Sequence, residues 1–257
     1  LMASLSNGNL IMQHSGVLLF PIKPNIASYI AVFKNKMILS GYLNTIKILV
    51  ISLILQITMT SIGAYFFSRE RVLFKKPLMF IITLTMFISG GMIPFYQNLR
   101  SLMNSHWGLI LPFMISTYNM IILKTSFESI PKSLSEAARI DGAGHIRILF
   151  SIVLPLSKPV LAVMLLYYGV GVWNGWFWAS TILTDRAMYP LQVILREILL
   201  SNDTSVMTQG VSSGDLEAVG ATIRYATVIV ATLPILCAYP FLQKYFTKGI
   251  MIGAVKE

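Results

Sequence analysis

Five stretches of this 257-residue chain stay apolar for about 20 residues or more, the length an α-helix needs to cross roughly 30 Å of hydrocarbon. They cover residues 39–67 (LSGYLNTIKILVISLILQITMTSIGAYFF), 77–95 (PLMFIITLTMFISGGMIPF), 107–127 (WGLILPFMISTYNMIILKTSF), 159–183 (PVLAVMLLYYGVGVWNGWFWASTIL) and 221–246. Hydrocarbon offers no partner to a backbone N–H or C=O, so segments of this kind must be helical. The pattern therefore predicts an all-α integral membrane protein. Composition agrees, since 12% of the residues are charged against about 25% in a soluble domain. The opening LMASLSNGN reads as the last turn of an apolar helix entering a polar loop. A further span is expected ahead of it.

Charge in the short loops sets the orientation, because Lys and Arg collect on the cytoplasmic side. SRERVLFKK (68–76) has four basic residues and one acid, and 136–158 has three against two. The tail TKGIMIGAVKE (247–257) is also basic. YQNLRSLMNSH has one arginine, and 184–220 has five acids against two arginines. The basic loops are predicted inside and the others outside. Residues 1–38 dissent, because parity puts them outside although they carry Lys23, Lys34 and Lys36 with no acid. Mapped this way, the net charge of +10 belongs to a membrane topology, and no nucleic-acid partner is implied.

Several chemistries lack their residues. No GxxxxGK[ST] phosphate loop occurs. His14, His106 and His145 are scattered without metal-ligand spacing, and Cys237 is the single cysteine. The chain reads as non-catalytic, with no cofactor or metal of its own.

One stretch interrupts the apolar pattern. EAARIDGAGHIRILFSIVLPLSKP (136–159) brings two acids, two arginines and two glycines into an otherwise oily sequence. Ser133 followed by Glu136 has capping-box spacing and predicts a helix start at Ser133. Gly142 and Gly144 are expected to end or bend that helix. HIRILFSIVL reads as a second short amphipathic piece, broken by Pro155 and Pro159. An amphipathic helix resting on headgroups would account for the polarity alone.

The spacing does more. Glu136-Ala137-Ala138, three residues, Gly142, nine residues, Ile152, one residue and Leu154-Pro155 resemble the EAA signature of permease subunits of ABC-type importers. SGGMIPFY, ARIDGA, LPLSKPVLA, WNGWF, YPLQ and YPFLQKYFTKGIMIGAVKE are similar to the maltose-type carbohydrate uptake family. Its subgroup associated with complex oligosaccharides and polysaccharide fragments is the nearest likeness. The resemblance covers nearly the whole chain and implies one type I importer transmembrane domain over 1–257. Such a domain has six spans in the full chain, with about five covered here.

What the resemblance implies is specific. Residues 128–159 would be cytoplasmic coupling helices docked on an ATPase dimer that holds ATP and Mg. Glu136, Ala137, Ala138 and Gly142 would dock, with Arg139 and Asp141 making polar contacts. A second, homologous permease subunit would complete a heterodimer in the bacterial cytoplasmic membrane. An extracytoplasmic solute-binding protein would deliver an oligosaccharide to it. The loop 184–220 would reach that binding protein through a tip within 201–214, and the tail 247–257 would lie against the ATPase.

For a sugar path, aromatic rings stack on sugar faces and amides bond hydroxyls. Trp173, Asn174, Trp176 and Trp178 supply that mixture, although tryptophan also gathers at membrane interfaces without binding anything. Tyr118 and Asn119 form a similar pair within another span and are polar at membrane depth. In the maltose importer the other permease subunit makes most sugar contacts. The EAA stretch is shared by importers of peptides, amino acids and glycerol phosphate, so those cargoes remain open. So does an ATP-independent pore or anchor. An acidic sugar would want a cation on its path, and Arg224 is the candidate, unless its side chain snorkels to the interface.

Overall fold

The computed structural model describes residues 1–70, 72–200, 222–237 and 239–240. Every regular element among them is helical. In chain order they are α1 (Gly8–Gln13), α2 (Ala27–Lys34), α3 (Lys36–Ser68), α4 (Lys75–Leu84), α5 (Met92–Asn98) and α6 (Trp107–Phe113). Then follow α7 (Thr117–Glu128), α8 (Lys132–Ile140), α9 (His145–Leu156), α10 (Lys158–Trp173), α11 (Phe177–Ile182), α12 (Leu191–Leu200) and α13 (Thr222–Cys237). The chain forms two compact units, Leu1–Lys47 with Trp173–Tyr239, and Ile48–Val172 with Pro240–Glu257.

The first expected span is α3, 33 residues long, and 28% of its most apolar window is buried within the chain. The second differs from expectation. Helix α4 stops at Leu84, Thr85–Phe87 turn, and α5 begins only at Met92. Ten residues of helix rise about 15 Å, half a hydrocarbon core. The cause is local: the Thr85 hydroxyl bonds the Ile82 carbonyl at 2.6 Å, and Gly91 takes φ +87°.

The third and fourth spans are broken as well. α6 and α7 meet at 48°. The Gln56 amide donates to the Phe113 carbonyl at 3.0 Å, and the Ser116 N–H donates to the Tyr168 hydroxyl at 3.2 Å. Tyr168 also shares a 2.6 Å bond with Thr60. Side chains of α3 and α10 thus satisfy the backbone groups freed at the break, which is what tolerates irregular backbone within a span. The expected span 159–183 is α10, a break at residues 174–176, and the short α11. Of the fifth, α13 is described, and the remainder to 246 lies outside the described residues.

In the unit Ile48–Val172 the core gathers Ala64, Tyr65 and Phe67 of α3, Met120, Leu123 and Phe127 of α7, and Ile148, Leu149 and Val153 of α9. Gly63 sits where a Cβ would come within 2.9 Å of the Met120 sulfur, so α3 and α7 approach closely.

In the unit Leu1–Lys47 with Trp173–Tyr239, the expected loop 184–220 contains a helix, α12. Leu191, Ile194 and Ile198 are buried, an i, i+3, i+7 stripe. A Cβ on Gly41 would stand 2.5 Å from Ile194 Cδ1 and 3.2 Å from Leu191 Cα. The Leu191 N–H donates to Thr45 Oγ1 at 2.8 Å. Asn44 donates to the Ala187 and Tyr189 carbonyls at 2.8 and 3.1 Å. The loop tip within 201–214 and the tail 247–257 lie outside the described residues.

Pro234 lacks the N–H that would bond the Val230 carbonyl in α13. The Tyr42 hydroxyl donates to that carbonyl instead, and Trp173 Nε1 donates to the Ala231 carbonyl at 3.2 Å. The two rings lie 6.2 Å apart.

Candidate functional site

The interrupted stretch folds as a helix, a turn and a second helix. α8 begins at Lys132, with Pro131 as N-cap and no side-chain cap. The capping box expected at Ser133 does not form, because the helix starts one residue before Ser133 and carries it into the first turn. The Pro131 carbonyl takes the Leu134 N–H at 3.2 Å.

The other end is closed tightly. Gly142 has φ +80°. The Ala143 N–H bonds the Ala138 carbonyl at 2.8 Å, and the Gly142 N–H bonds the Arg139 carbonyl at 2.9 Å. That pair of bonds is a Schellman stop, and its left-handed residue favours glycine. Nothing lies within 4 Å of where a Gly142 Cβ would be. The glycine therefore answers to backbone conformation, and the space outside it is open.

α9 carries a five-residue π turn, Leu149–Val153, just before Pro155. Widening the helix there suits a residue with no N–H to give. Pro155 therefore stays inside α9, contrary to the expected break. The chain bends at Ser157, where α9 and α10 meet at 86°.

α8 has two faces. Ala138 and, in the turn, Ala143 pack on the core cluster. Leu134, Glu136, Ala137, Arg139, Ile140, Asp141 and Gly142 are exposed. Ile140 is 87% and Ile146 76% exposed. Lys132 pairs with Glu70, whose carboxylate holds the Lys132 ammonium above the usual lysine range. Glu128 takes Lys75 at 3.3 Å and Lys124 at 2.7 Å.

Beneath the turn is a polar contact that sequence reading missed. Arg69 Nη1 donates to the Tyr65 hydroxyl at 3.1 Å, and that hydroxyl lies 3.4 Å from His145 Nδ1. No short-range pattern joins residues 80 positions apart. The signal available was a tyrosine, not a phenylalanine, on the buried end of an apolar span.

The aromatic candidates divide by role. Trp173 is 6% exposed and its indole N–H is committed to Ala231. Asn174 is exposed. Trp176 is partly exposed, with the Arg196 guanidinium 3.5 Å over its ring. Phe177 bridges edge-to-face to Trp176 at 5.6 Å and to the half-buried Trp178 at 5.2 Å. Tyr118 and Asn119 belong to the other unit. There Tyr118 is exposed, and Asn119 is buried with its N–H 3.4 Å from the capping Ser116 hydroxyl. Arg224 Nε is buried without a hydrogen-bond partner.

A family profile described as "Binding-protein-dependent transport system inner membrane component" matches residues 26–252. The chain is 39% identical over 248 residues to the Bacillus subtilis (strain 168) polygalacturonan/rhamnogalacturonan transport system permease protein YtcP, covering 93% of this chain and 84% of that one. It is 38% identical over 240 residues to protein LplC of the same organism, covering 93% and 81%. Among solved structures it is similar to a chain of a bacterial ABC transporter involved in the import of the acidic polysaccharide alginate. That match has a TM-score of 0.89 and 32% identity, and covers 95% of this chain and 88% of that one.

Proposed function

The chain belongs to the family of binding-protein-dependent transport system inner membrane components, and on that premise we propose that it is one of two permease subunits in an ATP-driven importer of oligosaccharides, including fragments of polysaccharides. Its partners in this reading are a homologous permease, a cytoplasmic ATPase dimer and an extracytoplasmic solute-binding protein. ATP and Mg bind the ATPase dimer. This chain does no chemistry and moves the cargo by alternating access.

The observation that carries the reading is α8: a short helix fixed to the core by Ala138, stopped hard at Gly142, and turning Leu134, Ala137 and Ile140 outward. Glu136, Ala137, Arg139, Asp141 and Gly142 dock on the ATPase, and Ala138 holds the helix to the permease. Asn174, Trp176 and Trp178 offer stacking and amide groups to a sugar, and Tyr118 and Asn119 a second polar pair. Trp173 supports them from within the packing. The saccharide cargo is supported by the relatives, since YtcP is named for polygalacturonan and rhamnogalacturonan.

The test is ATP hydrolysis by the assembled complex in liposomes, with its binding protein, against a panel of neutral oligosaccharides, oligouronates, peptides and glycerol phosphate. Stimulation by one saccharide class is expected. Stimulation by peptides or glycerol phosphate alone would overturn the cargo and leave the importer standing. Transport without ATP would overturn the importer.

A further inference from the structure

We propose that Tyr65 and His145 form a polar pin between the longest span and the coupling element, and that this pin positions α8–α9 for the ATPase stroke. The inference rests on the coupling role proposed above. Its basis is geometric. Tyr65 is 8% exposed and stands in an otherwise apolar cluster. A buried phenol is retained where its hydroxyl finds partners. Here Arg69, four residues on, donates to the oxygen at 3.1 Å and sets its guanidinium 5.4 Å from the ring centre. The hydroxyl proton is then free to point at His145 Nδ1, 3.4 Å away. In the neutral imidazole with Nε2 protonated, Nδ1 accepts it.

His145 is the first residue of α9, one past Gly144. It occupies the corner where the chain leaves the α8 turn. Its ring meets Tyr65 edge-on, 6.3 Å between centroids. The flanking contacts are apolar: Ala64 and Phe67 of α3 and Ile148 and Leu149 of α9 share the cluster. Apolar contacts tolerate sliding, whereas a directional bond fixes register. α3 is the single helix among the described residues long and apolar enough to span without a break, so it can carry a displacement at its end across the bilayer. In this role Tyr65 and His145 are positioning residues.

The test uses the assembled transporter with an environment-sensitive fluorophore on Ile54→Cys, in a Cys237→Ser background. ATP with vanadate traps the closed ATPase dimer, and the spectral change reports whether α3 follows. No cargo is needed. Tyr65→Phe keeps the ring and the core volume. It is expected to trap nucleotide at the wild-type level while losing about threefold of the spectral change, the weight of one ordinary hydrogen bond. His145→Leu should match it, and the double variant should be no worse than either. His145→Asn, which returns an acceptor near Nδ1, should restore the response. A wild-type response in Tyr65→Phe would overturn the pin. Gly142→Trp separates the two ideas. If it abolishes the response while Tyr65→Phe does not, coupling through α8 stands and the pin falls. If it changes nothing, the coupling reading itself falls.

Discussion

Gly142 is the residue at which α8 stops, and its requirement is conformational. A left-handed residue with a Cβ costs about 1–2 kcal/mol, and Gly142 has φ +80° with open space around it. Gly142→Ala is therefore expected to loosen the end of α8, seen as faster proteolysis after Arg139. Gly142→Asn should be milder, since asparagine tolerates that region. Gly41 is the opposite case. Its backbone is ordinary, but a Cβ would strike Ile194 at 2.5 Å and the Leu191 backbone at 3.2 Å. Gly41→Val should destabilise by about 1–3 kcal/mol through overpacking, read as a lower melting temperature in detergent. The two glycines look alike in sequence. Only Gly142 was legible, because it follows a recognisable helix and precedes Ala-Gly. Gly41 depends on α12, about 150 positions away.

At the level of elements, two sites where backbone groups lose their helical partners are satisfied by side chains of other helices. Tyr42 and Trp173 bond the carbonyls beside Pro234. Gln56 and Tyr168 bond the groups opened between α6 and α7. Tyr42→Phe should leave the Val230 carbonyl unsatisfied and cost about 1–3 kcal/mol. In a Pro234→Ala background the helix supplies its own N–H, so the same change should cost far less; thermal melts of the four variants check this. Tyr168→Phe should likewise destabilise, with no rescue from Pro234→Ala. Hydropathy located α3 because it measures what lipid accepts. It missed the breaks at residues 85–91, 114–116 and 174–176 because these depend on side chains from other helices or on glycine and threonine geometry that hydropathy ignores. It missed α12 for a different reason. The polar run that follows drew the reading toward a loop, although Leu191, Ile194 and Ile198 carry helical spacing.

For the whole molecule, the sequence motif reached further than periodicity could. Spacing of Glu136-Ala137-Ala138, Gly142, Ile152 and Leu154-Pro155 pointed to a binding-protein-dependent importer, and the family assignment over residues 26–252 agrees. Composition alone gave a membrane protein and no more. The tryptophan stretch was legible as aromatic but not as two kinds of residue, one buried against α13 and the others at or near the surface. The basic loops predict the orientation: a cysteine at Lys76 should be labelled only from the cytoplasmic side and one at Asp185 only from outside, tested with an impermeant maleimide in the Cys237→Ser background.

We expect α8 to carry ATPase motion into this chain. ATP hydrolysis by the reconstituted complex, with and without liganded binding protein, should be stimulated in the wild type. In Gly142→Trp, where a large side chain enters the docking face, the stimulation should vanish while the complex still assembles in the membrane. Undiminished stimulation in an assembled Gly142→Trp complex would contradict the account.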